Sequence, residues 1–378
     1  MLLPRDAQDL SEIVAGAAAN GEKLELAGGG TRGGVGAPRE CEVVSLRQLA
    51  GVVDYDPAEL VLTVRPGTRL DEIEALVAAE GQFLAFEPWG EPGATIGGSI
   101  AAGIAGSRRV TAGSARDHLL GFAAVSGRGE AFVAGAKVVK NVTGYDLPKL
   151  MAGSWGRIGA MTELTLKVLP QPRRTVTLAA RGLPLGAAYA MMASALGSNA
   201  EVSAAAALPT GEVLLRVAGF GPSVEARCAA LPLILSGHCQ LERMTEDEAA
   251  PLWRMARCGE GLRGEVRWDV HLQPRHAVTL IERLHETGVD WSVDWGGGRV
   301  WIGTEGRDAR VRDAAAKLGG EARLWSAPAA MRATVPAMHP RRPGIGLLEQ
   351  RVRRAFDPVG VFVTGRFMED ADADQLSA

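Results

Sequence analysis

A glycine-rich loop near the N-terminus constrains the fold more than any other sequence feature. Gly28-Gly29-Gly30-Thr31-Arg32-Gly33 directly follows Leu24–Ala27, a short alternating segment that is typical of a β-strand. The loop satisfies the G-x-G-x-x-G pattern of Rossmann folds, in which it must open a helix whose N-terminus faces the pyrophosphate. The next residues, 34–38, are Gly-Val-Gly-Ala-Pro, which cannot begin a stable helix. The sequence therefore argues against a Rossmann fold.

The same loop remains a candidate phosphate site. Successive backbone N–H groups can form an anion-binding concavity without a following helix. Glycine permits positive φ and a close approach of the backbone to an oxygen atom. An ordinary surface turn is the alternative interpretation, because glycine clusters mostly mark loops.

A second segment of small residues, Gly93 to Gly103, reads GATIGGSIAAG. It is either a tightly packed turn in the core or a backbone that lies against a flat ligand, where a larger Cβ would collide. Further motifs follow in a fixed order: Arg116-Asp117, then KNVTGYDL at 140–147, then GSWGRIGAMTE at 153–163.

The charge balance and the cysteines exclude several classes of function. Lys and Arg number 41 against 44 Asp and Glu, and this net charge of −3 argues against a nucleic-acid binder. The four cysteines, Cys41, Cys228, Cys239 and Cys258, include no C-x-x-C pair. They match no local iron–sulfur motif and no disulfide framework.

The sequence also predicts where the protein acts. The longest small and apolar run, 93–107, is too short to cross a bilayer, which takes ~20 apolar residues. The first residues do not resemble a signal peptide. We expect a cytoplasmic protein that meets the inner membrane only through partners.

The length of 378 residues favours two or three domains. Strands and helices alternate irregularly up to Pro170-Gln171-Pro172, which we take as the first boundary. Residues 173–325 are predicted to form a second domain and 326–378 a C-terminal segment. Thr68 is predicted to cap a helix that begins at Leu70. No internal repeat is visible, and the predicted fold class is α+β.

The ordered motifs resemble the vanillyl-alcohol-oxidase-type (PCMH-type) FAD-binding family, and within it most closely the FAD-binding subunits of bacterial glycolate oxidases. The resemblance covers about residues 1–172 and is weaker beyond. Supporting segments are Phe86-Glu87-Pro88, Met151-Ala152-Gly153, Asp294-Trp295-Gly296-Gly297 and Phe356-Asp357-Pro358. The resemblance implies an FAD-binding domain of two subdomains, followed by an α+β cap domain and a C-terminal segment.

The resemblance also implies which residues hold FAD. Pyrophosphate contacts would come from Gly28, Gly29, Gly30 and Thr31. Backbone beside the pyrophosphate and flavin would come from Thr95, Ile96, Gly97 and Gly98, with Ala101 and Gly103 packed close. Residues at the ring system would be Asn141, Gly144, Tyr145 and Asp146, and residues at the adenine end Gly156, Gly159 and Ala160.

Two departures from the family pattern carry further expectations. Relatives that bind flavin covalently usually place a histidine in the first glycine loop. Because this chain has Thr31 there, we predict noncovalent FAD. Where relatives commonly read N-P-G-R, this chain has Val363-Thr364-Gly365-Arg366, which leaves the role of that loop open.

The catalytic residues are not identified by the sequence. The H-x-G-D-G-N-x-H segment of related catalytic chains is absent, and no metal site is expected. Arg267, Asp269 and His271 would share one face of a strand, and an exposed face of ordinary polar residues is the favoured interpretation. Arg267, His271 and Tyr145 are kept as catalytic candidates. The second-domain tryptophans, Trp268, Trp291, Trp295 and Trp301, are interpreted as core rather than as a subunit contact.

Three functions remain open at this point. The chain could be the FAD subunit of a glycolate oxidase (dehydrogenase) assembly, with a catalytic FAD chain and an iron–sulfur chain as partners. It could be a self-sufficient FAD-dependent dehydrogenase of a small 2-hydroxy acid. It could also be a structural flavin subunit without its own turnover.

Overall fold

The structure is a computed structural model that describes residues 1–135, 145–235, 240–306 and 310–367. The predicted strand at 137–139 and two predicted flavin contacts, Asn141 and Gly144, lie outside the described residues. No helix in the described ranges is long and apolar enough to cross a membrane.

The first part of the chain mixes short helices and strands. Its helices are α1 (Ala7–Asn20), α2 (Leu70–Ala79), α3 (Ile96–Ala102), α4 (Arg109–Ala112), α5 (Ala115–His118) and α6 (Leu147–Met151). Its strands are β1 (Leu24–Ala27), β2 (Glu42–Ser45), β3 (Val52–Asp56), β4 (Val61–Val64), β5 (Gln82–Phe83), β6 (Leu119–Val125), β7 (Ala131–Gly135), β8 (Ala160–Lys167) and β9 (Leu169–Pro170).

A small subdomain is built around the parallel pair β1 and β2. Leu10 and Val14 of α1 pack against this pair in a separate apolar core. The end of the chain joins the same core, because Leu24 N donates to Val361 O at 2.9 Å and Val363 N donates to Leu24 O at 3.0 Å. This subdomain is therefore assembled from both ends of the sequence.

A larger subdomain contains the antiparallel sheet β3-β4-β8-β6-β7. Its core includes Leu62, Ile73, Ile96, Ile100 and Leu164, which are fully buried. Helix α3 is thus held mainly by burying its two isoleucines, because its glycines and alanines have little side chain to pack.

The second part of the chain contains one large sheet. Its helices and those of the C-terminal segment are α7 (Leu185–Leu196), α8 (Gly221–Ile234), α9 (Glu246–Cys258), α10 (Ala277–His285), α11 (Arg310–Lys317), α12 (Ala329–Arg332) and α13 (Pro343–Phe356). Its strands are β10 (Arg174–Arg181), β11 (Val202–Ala207), β12 (Glu212–Gly219), β13 (Glu242–Met244), β14 (Val266–His271), β15 (Asp290–Asp294), β16 (Arg299–Thr304) and β17 (Glu321–Ser326). The domain limits at 172 and 325 stay predictions beside these observed bounds.

The large sheet is a tandem of two similar units. Each unit runs strand, helix, strand, strand, helix, strand, first through β10 to β13 and then through β14 to β17. In the sheet order β13-β10-β12-β11-β15-β16-β14-β17, the two units meet where β11 pairs with β15, the second strand of each unit. No repeat is visible in the sequence, and the repeated arrangement is seen only in the order of the elements. Two units can share an arrangement of strands and helices while their side chains differ throughout.

The two faces of this sheet have different neighbours. Trp268 and Val270 of β14 point into an apolar core shared with α7, α8, α10 and α11. Residues at the alternate positions point to the other face, which is covered partly by α9, packed on Ala179, Ala204 and Leu214, and partly by the first domain. There, Asp294 Oδ2 accepts from Ser107 Oγ at 2.8 Å, and Trp295 Nε1 donates to Gly106 O at 2.9 Å.

Most local predictions match the observed elements, and two do not. Helix α1 starts after Asp6, whose side chain accepts from Asp9 N, and ends at Gly21 with φ 70°. Thr68 does not cap α2, whose cap position is Arg69. The Thr68 hydroxyl instead donates to Arg65 O at 2.7 Å and accepts from Gly51 N at 2.9 Å, which ties down the preceding turn. The small segment 93–103 contains a helix, α3, rather than a turn alone.

Candidate functional site

A narrow, largely apolar cleft lies where the first glycine loop meets α3. Its walls come from the end of β1, the start of α3 and the segment before β8. The lining residues are Leu26, Ala27, Gly28, Leu46, Pro66, Gly97, Gly98, Ala101, Trp155, Gly156, Gly159 and Met161.

The glycines of this cleft are required by close packing. A Cβ on Gly28 would collide with the Thr95 hydroxyl oxygen. A Cβ on Gly97 would lie 2.5 Å from Pro66 Cβ and 2.8 Å from Pro66 O. Side chains at these positions would push the walls apart or fill the space between them.

The first glycine loop presents free backbone donors. The amides of Gly29, Gly30 and Thr31 donate to no acceptor in the described part of the chain, and Gly30 has φ 74°. Such a run of unpaired N–H groups is an anion-binding concavity. The loop is braced from behind, because Arg47 donates to Gly29 O.

Helix α3 adds a second polar feature beside the loop. Thr95 caps the helix, and its hydroxyl accepts from Gly98 N at 3.3 Å. Ser99 Oγ is buried and has no hydrogen-bond partner among the described residues. A buried hydroxyl without a partner is costly, and nothing among the described residues offsets this cost at Ser99.

A charged cluster lies on the side of the large sheet that faces the first domain. Asp269 is 1% exposed, and its carboxylate receives Arg299 Nε at 2.8 Å and Arg299 Nη2 at 3.1 Å. His271 Nε2 lies 3.0 Å from Asp269 Oδ1. The interpretation of this strand face as exposed is wrong, because the first domain covers it.

Burial and charge set the protonation states in this cluster. Burial alone would raise the pKa of Asp269, but Arg299 and His271 hold it below its usual range. Burial lowers the pKa of His271 to about 4, against the attraction of Asp269, so the imidazole is neutral at neutral pH. Burial raises the pKa of Asp294 to about 6, although Trp295 N and the Ser107 hydroxyl donate to it.

Two more arginines and a tryptophan complete the cluster. The guanidinium groups of Arg109 and Arg299 lie 4.5 and 4.9 Å from the Trp295 ring centre. Arg299 Nη1 also donates to Ala105 O of the first domain at 3.4 Å. Burial lowers the pKa of Arg323, on the next strand, and Asp269 opposes that shift.

Four tryptophans meet where the two domains approach each other. The ring centres of Trp89 and Trp301 are 5.5 and 5.6 Å from that of Trp325. The Trp155 ring centre, at the wall of the cleft, is 6.3 Å from Trp325. The core interpretation of the second-domain tryptophans holds for Trp268, whereas Trp295 and Trp301 are buried at this domain contact.

The structure brings together only part of the predicted site. The predicted residues that line the cleft are Gly28, Gly97, Gly98, Ala101, Gly156 and Gly159. Thr31 and Gly103 line two neighbouring cavities. Ile96 and Ala160 are fully buried in the core. Tyr145 is 91% exposed, and Asp146 caps α6, so neither lies in the cleft.

The catalytic candidates are likewise separated. His271 belongs to the charged cluster. Arg267 Nη2 donates to Leu262 O at 2.9 Å and Nη1 donates to Gly259 O, which fixes its guanidinium to a backbone turn. The assignment of Arg267, His271 and Tyr145 stays a prediction.

The sequence did not predict that a residue near position 366 would hold the first glycine loop in place. Arg366 is 6% exposed, and its Nη2 donates to Arg32 O in the first glycine loop at 3.1 Å. Its guanidinium also lies 4.7 Å from the centre of the Trp155 ring. The only sequence signal was the arginine that ends Val363-Thr364-Gly365-Arg366, and the loop before it departs from the family pattern.

Comparison with known proteins now places the chain. A family described as "FAD binding domain" matches residues 1–135. Glycolate oxidase subunit GlcE of Escherichia coli is 33% identical over 365 residues, which are 95% of this chain and 96% of that protein. A solved structure of alkyldihydroxyacetonephosphate synthase superposes with a TM-score of 0.67 at 15% identity, covering 95% of this chain and 75% of that one.

Two further relatives match less than half of this chain. D-lactate dehydrogenase of Anaerostipes hadrus is 34% identical over 42% of this chain, and glycolate oxidase subunit GlcD of Bacillus subtilis is 33% identical over 48%. These matches span 32% and 39% of the two relatives' own lengths. The chain is an FAD-binding oxidoreductase that belongs to the family of glycolate oxidase subunit GlcE.

Proposed function

We propose that this chain is the FAD-binding subunit of an assembly that oxidises glycolate, a 2-hydroxy acid, to glyoxylate. Electrons would leave through the flavin to an iron–sulfur partner. The observation that carries the proposal is the similarity to glycolate oxidase subunit GlcE over nearly the full length of both chains. The similarity to D-lactate dehydrogenase and to GlcD supports the 2-hydroxy-acid class.

The residues of the cleft fit FAD. The unpaired amides of Gly29, Gly30 and Thr31 suit the pyrophosphate, and the glycines of the walls let the backbone approach a flat group closely. When bound, FAD supplies an acceptor for a hydride and a store for two electrons. No histidine stands in the first glycine loop, so we propose that the cofactor is held noncovalently.

The charged cluster would serve the substrate side. Arg299 is fixed by Asp269 and Ala105, so it cannot move far to meet a ligand. His271 is neutral and can accept a hydrogen bond, but a pKa of about 4 makes it a poor proton acceptor at neutral pH. We therefore propose that His271 and Arg299 position groups, and that a residue of a partner chain takes the hydroxyl proton.

Two features support a multi-chain assembly. The relatives GlcE and GlcD are both named as subunits of a glycolate oxidase. The four cysteines of this chain have no spacing that would ligate an iron–sulfur cluster, so onward electron transfer would need another protein. We propose a catalytic FAD chain and an iron–sulfur chain as partners.

A self-sufficient 2-hydroxy-acid dehydrogenase is the second candidate. The interdomain cluster of Arg109, Arg299, Arg323 and His271 favours it, because cationic and neutral polar groups beside a flavin cleft are the parts that such an enzyme needs. The third candidate, a structural flavin subunit without turnover, predicts the same cofactor and no reaction.

An absorption spectrum of the purified chain, before and after acid precipitation, tests the proposal. Flavin that moves to the supernatant would support noncovalent FAD. Anaerobic glycolate should leave the isolated chain oxidised and should bleach it once the partner chains are added. Bleaching of the isolated chain would support the self-sufficient enzyme, and no bleaching in the assembly would support the structural role. A chain that takes up no FAD on reconstitution would contradict the proposal.

Two glycine substitutions, one in the cleft and one outside it, test whether FAD binds in the cleft. Gly28→Ala should lower the FAD content of the purified chain severalfold, since the new Cβ would collide with Thr95. Gly16→Ala is the matched control, because nothing lies within 4 Å of its Cβ position in α1. This control should keep full FAD content and raise stability by ~0.5–1 kcal/mol. Equal FAD content in both variants would place the cofactor elsewhere.

A further inference from the structure

A second cavity, of about 180 Å³, adjoins the FAD cleft and shares Trp155 with it. On the first-domain side it is lined by Ala102 and Gly103 at the end of α3, and by Gly153. On the other side it is lined by Glu321 and Arg323 of β17. We call it the arginine cavity, because Arg109, Arg116, Arg323 and Arg341 all contribute to its wall.

The arginine cavity has a surplus of positive charge. Glu321 is its only acidic lining residue among those described. Glu321 already pairs with Arg341 at 2.5 Å, and Arg341 also pairs with Glu349 at 2.9 Å. Burial lowers the pKa of His339, which also lines the cavity. Arg109, Arg116 and Arg323 are thus left without a matching lining carboxylate.

Arg109 and Arg323 stand out within this set. Neither guanidinium has a hydrogen-bond acceptor or an ion-pair partner among the described residues, and Arg109 only stacks on Trp295. The nearby carboxylate of Asp269 is taken by Arg299 and His271. Burial lowers the pKa of Arg109, the neighbouring Arg299 and Arg323 lower it further, and Asp117 and Asp269 oppose the shift. Like charges held together in a partly buried space destabilise the protein unless an anion binds there.

We propose that Arg109 and Arg323 form a binding site for the carboxylate of a small organic acid, with one guanidinium supplied by each domain. The planar guanidinium group matches a carboxylate with two parallel hydrogen bonds. The volume suits an acid of a few heavy atoms. The site deepens the proposed function, on which it rests, by placing the acid group of the substrate next to the FAD cleft.

Oxalate is the probe for this site, because it carries the carboxylate but has no C–H bond from which a hydride could leave. Its dissociation constant is measured by calorimetry on the FAD-loaded chain, for wild type, Arg109→Gln and Arg323→Gln. Each variant should weaken binding at least about tenfold, since each removes a charge-assisted hydrogen bond. Arg283→Gln, an exposed arginine on α10, is the matched control and should bind as wild type does.

Two further measurements guard against a folding defect. The flavin-to-protein absorbance ratio should stay unchanged in both variants, because neither residue lines the FAD cleft. Without oxalate, the Tm of each variant should equal or exceed that of wild type, since one of two like charges is gone. Arg323→Lys should bind oxalate with intermediate strength, because lysine keeps the positive charge but lacks the two parallel N–H donors of the guanidinium group.

Oxalate binding that is equal in wild type and both variants, or absent in wild type, would overturn the carboxylate site. Inorganic phosphate that binds more tightly than oxalate through the same two arginines would overturn the carboxylate class. The proposed function fails by a separate readout, namely flavin that stays oxidised in the full assembly with glycolate. That result can occur while oxalate still depends on both arginines.

Discussion

The two faces of the eight-stranded sheet are built on the same strands and yet serve different purposes. Along β14, Trp268 and Val270 enter the core under the helices, whereas Asp269 and His271 face the first domain. The helix side is an apolar layer. The domain side carries an apolar patch under α9 and, where the first domain covers it, a layer of ion pairs, arginines and tryptophans.

The difference between the faces separates apolar contacts, which stabilise the fold, from buried ion pairs, which fix the positions of polar groups. Apolar burial is insensitive to small changes in direction, so the helix side tolerates many sequences. A buried ion pair gains little over an apolar pair and is retained mainly where geometry or specificity needs it. We therefore expect variants on the polar face to differ in kind from those on the helix side.

Trp268→Ala should have the largest effect on stability. Trp268 is 1% exposed within the helix-side core, so its truncation should cost about 4 kcal/mol. Urea unfolding followed by circular dichroism measures the loss. FAD affinity per folded molecule should not change. A cofactor defect without a loss of stability would contradict the division between the faces.

Asp269→Asn should lower the free energy of unfolding by about 3 kcal/mol, slightly less than Trp268→Ala does. The substitution leaves the buried Arg299 without its counter-charge. Urea unfolding again measures the loss in the free energy of unfolding. Asp313→Asn, on the exposed side of α11, is the control, and its free energy of unfolding should stay within about 0.5 kcal/mol of wild type. Adding Arg299→Met to Asp269→Asn should recover part of the loss. A double variant worse than the single one would mean that Arg299 stabilises the fold through other contacts.

The domain side should also carry two pH effects of opposite sign. Asp294 has a pKa of about 6, above its ordinary 3.8, so in the folded state it holds a proton that the unfolded chain lacks between these values. This contribution to stability is lost as the pH rises to about 6. His271 has a pKa of about 4, below its ordinary 6.5, so its contribution is gained as the pH rises from about 4 to 6.5.

In wild type the contributions of Asp294 and His271 to the pH dependence of stability oppose each other. Relative to wild type, Asp294→Asn should become more stable with rising pH between 4 and 6, by up to ~1.4 kcal/mol per pH unit. His271→Gln should show the reverse trend, and the double variant should follow wild type. Thermal melts from pH 4 to 7 measure these differences. Parallel profiles for both single variants would show that neither group is perturbed.

Trp325→Ala should have the smallest effect on stability. Trp325 is only half-buried, on the domain side, so its loss should cost about 1 kcal/mol. Because it contacts Trp155 at the wall of the cleft, the variant should still lower FAD affinity, as measured by flavin fluorescence on dilution. A loss as large as that of Trp268→Ala would show that both faces act as one core.

Local periodicity predicted much of this architecture. Alternating residues identified β1 and β14, and the helix predicted to begin at Leu70 matches α2. The period of two also places Arg267, Asp269 and His271 at alternate positions of β14. These features depend on neighbours within a few residues, so the sequence displays them directly.

What could not be predicted depends on distant contacts. Whether the polar face of β14 is covered is decided by bonds such as Ser107 to Asp294, 187 residues apart. Helix α3 has a glycine-rich sequence that disfavours a helix, and burial of Ile96 and Ile100 overrides that preference. The paired units of the large sheet share no sequence signal, because strand order is set by packing.

The return of the C-terminal segment to the first glycine loop has a consequence for biosynthesis. Arg32 O is held by Arg366, 334 positions later, and Gly36 O by Arg332. On the ribosome the loop emerges long before these arginines exist, and domains generally fold as the chain is made. The loop can take its final arrangement only after residues 332–366 have emerged. A chain broken off earlier would lack these braces however well its first 172 residues had folded.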